Sequence, residues 1–199
     1  MFYKLQDAHP RTYQYAFMDL SFAGYTKSIC AGCGRENTAA GFSGPHRLAA
    51  EGGPRYPDYL PFSGAGGPML ILSERAVTVF RENGITGIGA VTPVAVVKFD
   101  HGTEVPLPES APDYYQVTIS GTVDLDLPQM CLKKKRVCPD CGGFSWNRQR
   151  MPKMFLDEST WDGGDLCRVA SIPGYVICSE TVVTLVKKHQ LKGFAFEPV

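Results

Sequence analysis

Four of the seven cysteines are spaced to hold a metal ion. Cys30-Ala-Gly-Cys33-Gly34 and Cys138-Pro-Asp-Cys141-Gly142 repeat one CxxCG pattern. Two thiolates two residues apart can face the same cation, and the glycine that follows lets the backbone turn tightly around the sulfur. Four sulfurs fill a tetrahedral zinc shell, which predicts a structural Zn2+ shared by Cys30, Cys33, Cys138 and Cys141, with no position left for a reacting ligand. The spacing is unusual. Common zinc ribbons separate their pairs by about 15–20 residues, whereas residues 34–137 lie between these two.

Other uses of the cysteines stay open at this point. A thioredoxin-like CxxC should open a helix after a strand, but Gly34-Arg35 and Gly142-Gly143 fit turns better. A disulfide within each pair would need an oxidising compartment. Two separate metal sites could recruit Cys131, Cys167 or Cys178. Otherwise these three read as small buried apolar residues, above all Cys178 in its apolar run. His9, His46, His101 and His189 form no ligand spacing, and Gly64-Ala-Gly-Gly-Pro68 lacks the Lys-Ser/Thr of a phosphate loop. No catalytic constellation is legible, and the expectation is a protein that is not an enzyme.

The knuckles must be held by elements that can meet, and the sequence suggests how. Ser73-Glu74-Arg-Ala-Val-Thr-Val-Phe80 resembles Ser179-Glu180-Thr-Val-Val-Thr-Leu-Val186, an offset of 106 (73 to 179), while the knuckles repeat at 108 (30 to 138). Each copy offers a serine N-cap, an acidic first turn and a helix of about ten residues with an apolar stripe, then a short β-like run ending in Pro93-Val94 or Pro198-Val199. Asn83-Gly84 closes the first helix, and the second lacks that glycine. The expectation is an α+β fold: a tandem pseudo-repeat of zinc-knuckle units, about 1–99 and 100–199, with antiparallel strands and short helices. Val94–Phe99 and Tyr114–Leu127 read as strands, the latter broken at Ser120-Gly121 by a hairpin turn or bulge. Residues 41–68, with seven Gly and five Pro, read as a long loop.

The chain has 199 residues, 44% hydrophobic and 20% charged, with zero formal net charge. That argues against wholesale attraction to nucleic acid or an anionic membrane. No apolar run is long enough to span a bilayer, and no secretory signal is legible at the start, so a cytoplasmic protein is expected. Charge is nonetheless segregated. Residues 99–132 carry six acidic side chains and no Lys or Arg, followed at once by Lys133-Lys-Lys-Arg136. Asp157, Glu158, Asp162 and Asp165 surround Trp161. Acid beside aromatic suits the gripping of a basic protein, which makes Tyr56, Tyr59, Asp113, Tyr114, Asp157, Trp161 and Asp162 candidate partner-binding residues. The basic run reads as a solvated surface, with a phosphate contact as its functional alternative.

The paired CxxCG motifs about a hundred residues apart resemble the double-CxxCG proteins, a paralogous group in myxobacteria and relatives. The tail, from Tyr175-Val-Ile-Cys-Ser-Glu180 to Gly193-Phe-Ala-Phe-Glu-Pro-Val199, is similar to a Ser-Glu, helix, Gly, strand module of bacterial immunity families, and the Phe2-Tyr3-Lys4-Leu5 strand fits as well. The resemblance implies immunity to contact-delivered toxins of the Sit type, a structural role for the cysteines, and a cognate toxin encoded nearby as partner. A nuclease is the toxin class whose basic cleft the acidic segments would cover. The alternative is a zinc-ribbon nucleic-acid-binding or regulatory protein using Lys133–Arg136, with a thiol oxidoreductase third.

Overall fold

Short runs of β-branched and aromatic residues between Gly and Pro punctuation build a strand-rich protein. The computed structural model describes residues 1–7, 14–18, 26–34, 36–39, 47–52, 55–60, 62–63, 69–100, 103–147, 153–172 and 174–199. In chain order come β1 (Phe2–Asp7), β2 (Gln14–Met18), β3 (Thr26–Ile29), β4 (Glu36–Ala39), β5 (Arg47–Gly52), β6 (Tyr59–Leu60), β7 (Phe62–Ser63), β8 (Met69–Ser73) and helix α1 (Glu74–Glu82). There follow β9 (Ile88–Asp100), β10 (Thr103–Val105), β11 (Tyr114–Ile119), β12 (Gly121–Leu125), β13 (Lys134–Lys135), β14 (Ser145–Trp146), β15 (Leu156–Asp157), β16 (Leu166–Val169) and β17 (Val176–Ser179). Helix α2 (Glu180–Lys188) and β18 (Phe194–Pro198) come last. The α+β class is as expected.

One sheet runs β6-β8-β11-β9-β5-β2-β7, with β10 paired to β9. Its two end strands, β6 and β7, are one residue apart in the chain, so the sheet curls back on itself. A second sheet runs β15-β12-β16-β17-β1-β18. The first strand, β1, therefore sits in the sheet built from the end of the chain, while β11 sits between β8 and β9. The pairings correspond: Tyr115 lies opposite Leu72 and Pro93, and Tyr3 lies opposite Cys178 and Pro198. Ala16 opposite Phe62 in the first sheet matches Val123 opposite Val169 in the second, both parallel.

The helices have the predicted stripes. Ala76, Val77, Val79 and Phe80 of α1 and Val182, Val183, Leu185 and Val186 of α2 are buried in one apolar cluster. Ser73 caps α1, its hydroxyl accepting from Ala76 N–H at 3.1 Å. Ser179 corrects the expectation: its side chain makes no cap bond, although its hydroxyl donates to Asp165 as that of Ser73 donates to Asp58. At the second helix exit Gln190 takes φ +52°, the place that Gly84 fills at +67° in the first. Gly87 and Gly193, at φ +81° and +91°, are required. A Cβ on either would collide with a backbone carbonyl, that of Leu166 or Tyr59 respectively.

Two aspartates stitch the sheets together. Asp58 accepts from Ser73 Oγ and from Lys192 N–H, each at 2.8 Å. Asp165 accepts from Ser179 Oγ at 2.7 Å and from Thr86 N–H and Oγ1 at 3.1 and 2.8 Å. Burial pushes the Asp165 carboxyl up, but the Ser179 hydroxyl and the two Thr86 donors outweigh it and hold it below the usual carboxylate range. A depressed folded pKa contributes stability above the unfolded value, near 3.9, and that contribution is lost as pH falls through the folded pKa. Urea midpoints are therefore expected to fall steadily from about pH 5 to pH 2.5. Asp165→Asn should flatten that slope; an unchanged slope would remove Asp165 from the acid response.

Two other expectations are corrected. The stretch 41–68 is not one long loop: β5, β6 and β7 run through it, because Leu48, Ala49, Ala50 and Leu60, each at most 2% exposed, are recruited into the core by pairing. Tertiary contacts override the Gly/Pro punctuation there; residues 41–46, 53–54, 61 and 64–68 lie outside the described residues. At Ser120-Gly121 the chain does not form a hairpin. It crosses from one sheet to the other, β11 staying with β8 and β9 while β12 joins β16 and β15.

Candidate metal centre

Each CxxCG turn is carried by a short hairpin. β3 and β4 pair from Thr26↔Ala39 to Ile29↔Glu36, and β13 and β14 pair through Lys134↔Trp146 and Lys135↔Ser145. The turns close alike: Gly34 N–H donates to Cys30 O at 2.8 Å and Gly142 N–H to Cys138 O at 2.9 Å, with φ +67° and +66° at the glycines. The predicted need for glycine after the second cysteine is met by this left-handed backbone.

The hairpins meet sulfur to sulfur. Cys30 Sγ lies 3.7 Å from Cys138 Sγ, and Cys33 Sγ 3.7 Å from Cys141 Sγ. All four ligand atoms lie within 4.8 Å of one another. A tetrahedral ion with metal–sulfur bonds of about 2.3 Å requires sulfurs about 3.8 Å apart. A disulfide would need about 2.05 Å, and none of the seven cysteines is in one. The residues fit a tetrahedral four-thiolate metal site, with the disulfide reading set aside.

Cys138 is prepared for the thiolate form. Backbone N–H groups of Cys141 and Asp140 aimed at its sulfur hold the thiol down at about 6, against the opposing effect of burial. The site is graded in access, with Cys30 and Cys138 buried, Cys141 half-buried and Cys33 exposed. Asp140 was not foreseen as part of it. Its carboxylate packs so closely on Gly32 of the opposite knuckle that a Cβ there would collide with it. The bare glycine of one CxxC thus accommodates the acid of the other.

The remaining cysteines stand apart from the cluster. Burial pushes the Cys167 and Cys178 thiols up to about 12, helped at Cys167 by Asp162 and at Cys178 by Cys167, so both stay protonated in the core. Cys131 departs from the expected burial: it is exposed, with φ +50°. Of the histidines only His189 is described, and its Nε2 is buried without a hydrogen-bond partner; His9, His46 and His101 lie outside the described residues.

The candidate partner residues divide. Tyr59 and Tyr114 are corrected: at 9% and 3% exposure both are core residues, and Tyr114 donates to Pro57 O at 2.8 Å. Tyr56 is half-buried and Asp113 exposed. Trp161 is 41% exposed; its ring stands edge-on to Phe2 at 5.1 Å and its Nε1 donates to Gly164 O at 2.9 Å. The carboxylates beside it have structural duties. Asp157 accepts from Ser159 at the start of a 3-10 turn, and Asp162 accepts from Thr122 N–H at 2.7 Å and Gly164 N–H at 3.0 Å. Lys133, Lys134, Lys135 and Arg136 are all exposed, as a solvated run should be, and Lys134 Nζ lies 4.5 Å from the Phe144 ring centre. Among the described residues, no helix is long and apolar enough to cross a membrane. Comparison with protein-family models and with curated proteins finds no match.

Proposed function

We propose that the chain is a cytoplasmic immunity protein that binds a cognate toxin and neutralises it by occlusion, with one structural zinc joining two copies of a single unit. The observation that carries the structural half is the cluster of four sulfurs, two pairs of them 3.7 Å apart and all within 4.8 Å of one another. Four thiolates close the coordination shell, so the ion ties residues together and offers no site for a substrate. Zinc is the ion that such a shell suits in a reducing compartment, with iron the other taker of tetrahedral sulfur. The near-constant offset between the pairings of the two sheets supports the duplicated unit. The toxin half rests on the resemblance of the paired knuckles and Ser-Glu modules to double-CxxCG immunity proteins. The exposed acid and aromatic groups at Asp113 and Trp161 agree with it as steering charge and anchor.

Co-expression with the neighbouring toxin gene tests this reading. The protein should rescue cells and co-purify with the toxin at a fixed stoichiometry. Trp161→Ala with Asp113→Lys should weaken the complex by about tenfold or more, as expected for an anchor plus a steering charge. Metal content should stay unchanged. Asp162 is avoided because its carboxylate holds the local turn. The exposed cations at 133–136 beside the second knuckle favour one competing reading, nucleic-acid binding. Tight, salt-dependent retention on DNA that is lost when these four are neutralised, with no toxin partner, would replace the immunity reading.

A further inference from the structure

The first sheet contains a closure that the second lacks among the described residues. In the first, β5 is covered on both edges. It pairs antiparallel with β2, from Gln14↔Gly52 to Met18↔Leu48, and parallel with the second half of β9, from Arg47↔Ala95 to Ala50↔Lys98. Leu48, Ala49 and Ala50 are consequently 0–2% exposed. In the second sheet β15 occupies the place of β5: Asp124↔Asp157 and Leu125↔Leu156 match Phe17↔Ala49 and Met18↔Leu48. No described residue pairs with the other edge of β15, and Met154 to Asp157 are only half-buried. Phe155 O accepts from Asp126 N–H at 2.9 Å, on the β12 side. Backbone groups alternate sides along a strand, so those of Leu156 face the open edge.

A cleft lies at this edge, where β18 points toward it. It is lined by Lys4, Lys153, Met154, Tyr175, Glu197, Pro198 and Val199, and Lys4 Nζ is paired to Glu197 at 3.0 Å. Beneath it are the apolar residues of the second sheet, including Val123, Leu125 and Ile177, with Met154, Leu156 and Tyr175 packed against them. We propose that this slot is a docking site for an extended segment of a partner protein, which adds as a strand parallel to β15 and in line with β18. The inference rests on the reading of the chain as a binding protein. The occupant is specified by the segment that does the same work in the first sheet, Ala95-Val-Val-Lys98. The partner strand carries an inward apolar residue in the place of Val96, which packs against the first sheet's inner cluster. Exposed Lys153 at the mouth favours an acidic residue where the strand enters. Main-chain hydrogen bonds supply the affinity and the alternating side chains the selectivity.

The test uses the full chain and, as probe, a synthetic peptide with the sequence of residues 92–100. Binding will be weak, since one short strand buries far less than a standard interface. In amide NMR spectra the peptide should shift Met154 to Glu158 and Val199 and slow hydrogen exchange at Leu156. Methylating successive peptide nitrogens should weaken binding about tenfold or more at every second position and leave the others unchanged, because only alternate amides face β15. Three results would overturn the proposal: no shifts at millimolar peptide, binding indifferent to which nitrogen is methylated, or a free protein that is already dimeric through β15. Peptide binding without toxin rescue leaves the slot standing and removes the toxin; toxin rescue by a protein that ignores the peptide removes the slot alone.

Discussion

Stripping the metal from reduced protein, or replacing Cys30 and Cys138 by serine, is expected to lower the melting temperature by about 9–19 °C. The size follows from the loop that the ion closes. The knuckles are 108 residues apart, and a cross-link over about 100 residues constrains the unfolded chain by about 4.7 kcal/mol. For a chain of this size each kcal/mol moves the midpoint by about 2–4 °C. The effect is bounded because the apolar clusters under the two sheets contain none of the four ligands. The hairpins β3-β4 and β13-β14 should suffer most, since two-stranded ribbons hold poorly alone. Hydrogen exchange should therefore rise first at residues 26–39 and 134–147, while the centres of β8 and β17 keep their protection. Elemental analysis should find one zinc per chain, or one iron if the alternative ion is right. Reduced protein with no stoichiometric metal, or a melting temperature unmoved by the double substitution, would refute the site.

The legible parts of this protein were those set by local chemistry. CxxCG fixes a turn through its left-handed glycine and that residue's hydrogen bond back to the first cysteine, so its glycines and sulfurs read directly as a knuckle. The stripes of α1 and α2 follow from helical periodicity, and eight predicted apolar positions are buried. What the sequence hid was long-range. Nothing in the Gly and Pro punctuation from Gly41 to Pro68 reveals that Leu48 or Leu60 has a strand waiting for it, and nothing at Ser120-Gly121 says that the chain changes sheets. Aromatic residues near acids also misled, for Tyr114 looks identical in sequence whether its ring faces solvent or, as here, the inner side of a curled sheet. Asp58 and Asp165 could have been found. Pro57-Asp58-Tyr59-Leu60 and Gly164-Asp165-Leu166-Cys167 each place an acid before a short apolar strand, 15 and 14 residues ahead of the helix-opening serine. An alignment of the halves carried beyond the Ser-Glu modules would have exposed them.

Those aspartates carry the second large effect: Asp58→Ala should cost about 2–4 kcal/mol, the combined cost of a buried amide left without its acceptor and a weakened helix cap. Asp58 is 9% exposed. Its Oδ1 takes the Ser73 hydroxyl at 2.8 Å and lies 3.5 Å from Arg75 Nε, while its Oδ2 takes Lys192 N–H at 2.8 Å. Removing the carboxylate leaves that amide without its acceptor, at about 1–3 kcal/mol. It also frees Ser73, which is 0% exposed and caps α1, to lose its orientation. The Arg75 contact adds little, since that side chain is 55% exposed. Asp58→Asn should cost less, because one oxygen still accepts while the new amide group meets the donors on the other side. Asp165→Ala should also cost less than Asp58→Ala, its carboxylate being less enclosed. The decisive comparison is a double-mutant cycle. Asp58→Ala and Ser73→Ala should be strongly non-additive, since they share one hydrogen bond, whereas Asp58→Ala and Ser179→Ala should add within about 0.5 kcal/mol. Urea unfolding monitored at the Trp146 and Trp161 fluorescence gives all the required free energies. A cost below about 1 kcal/mol for Asp58→Ala, or additivity with Ser73→Ala, would mean that the apolar cluster alone holds the two sheets in place.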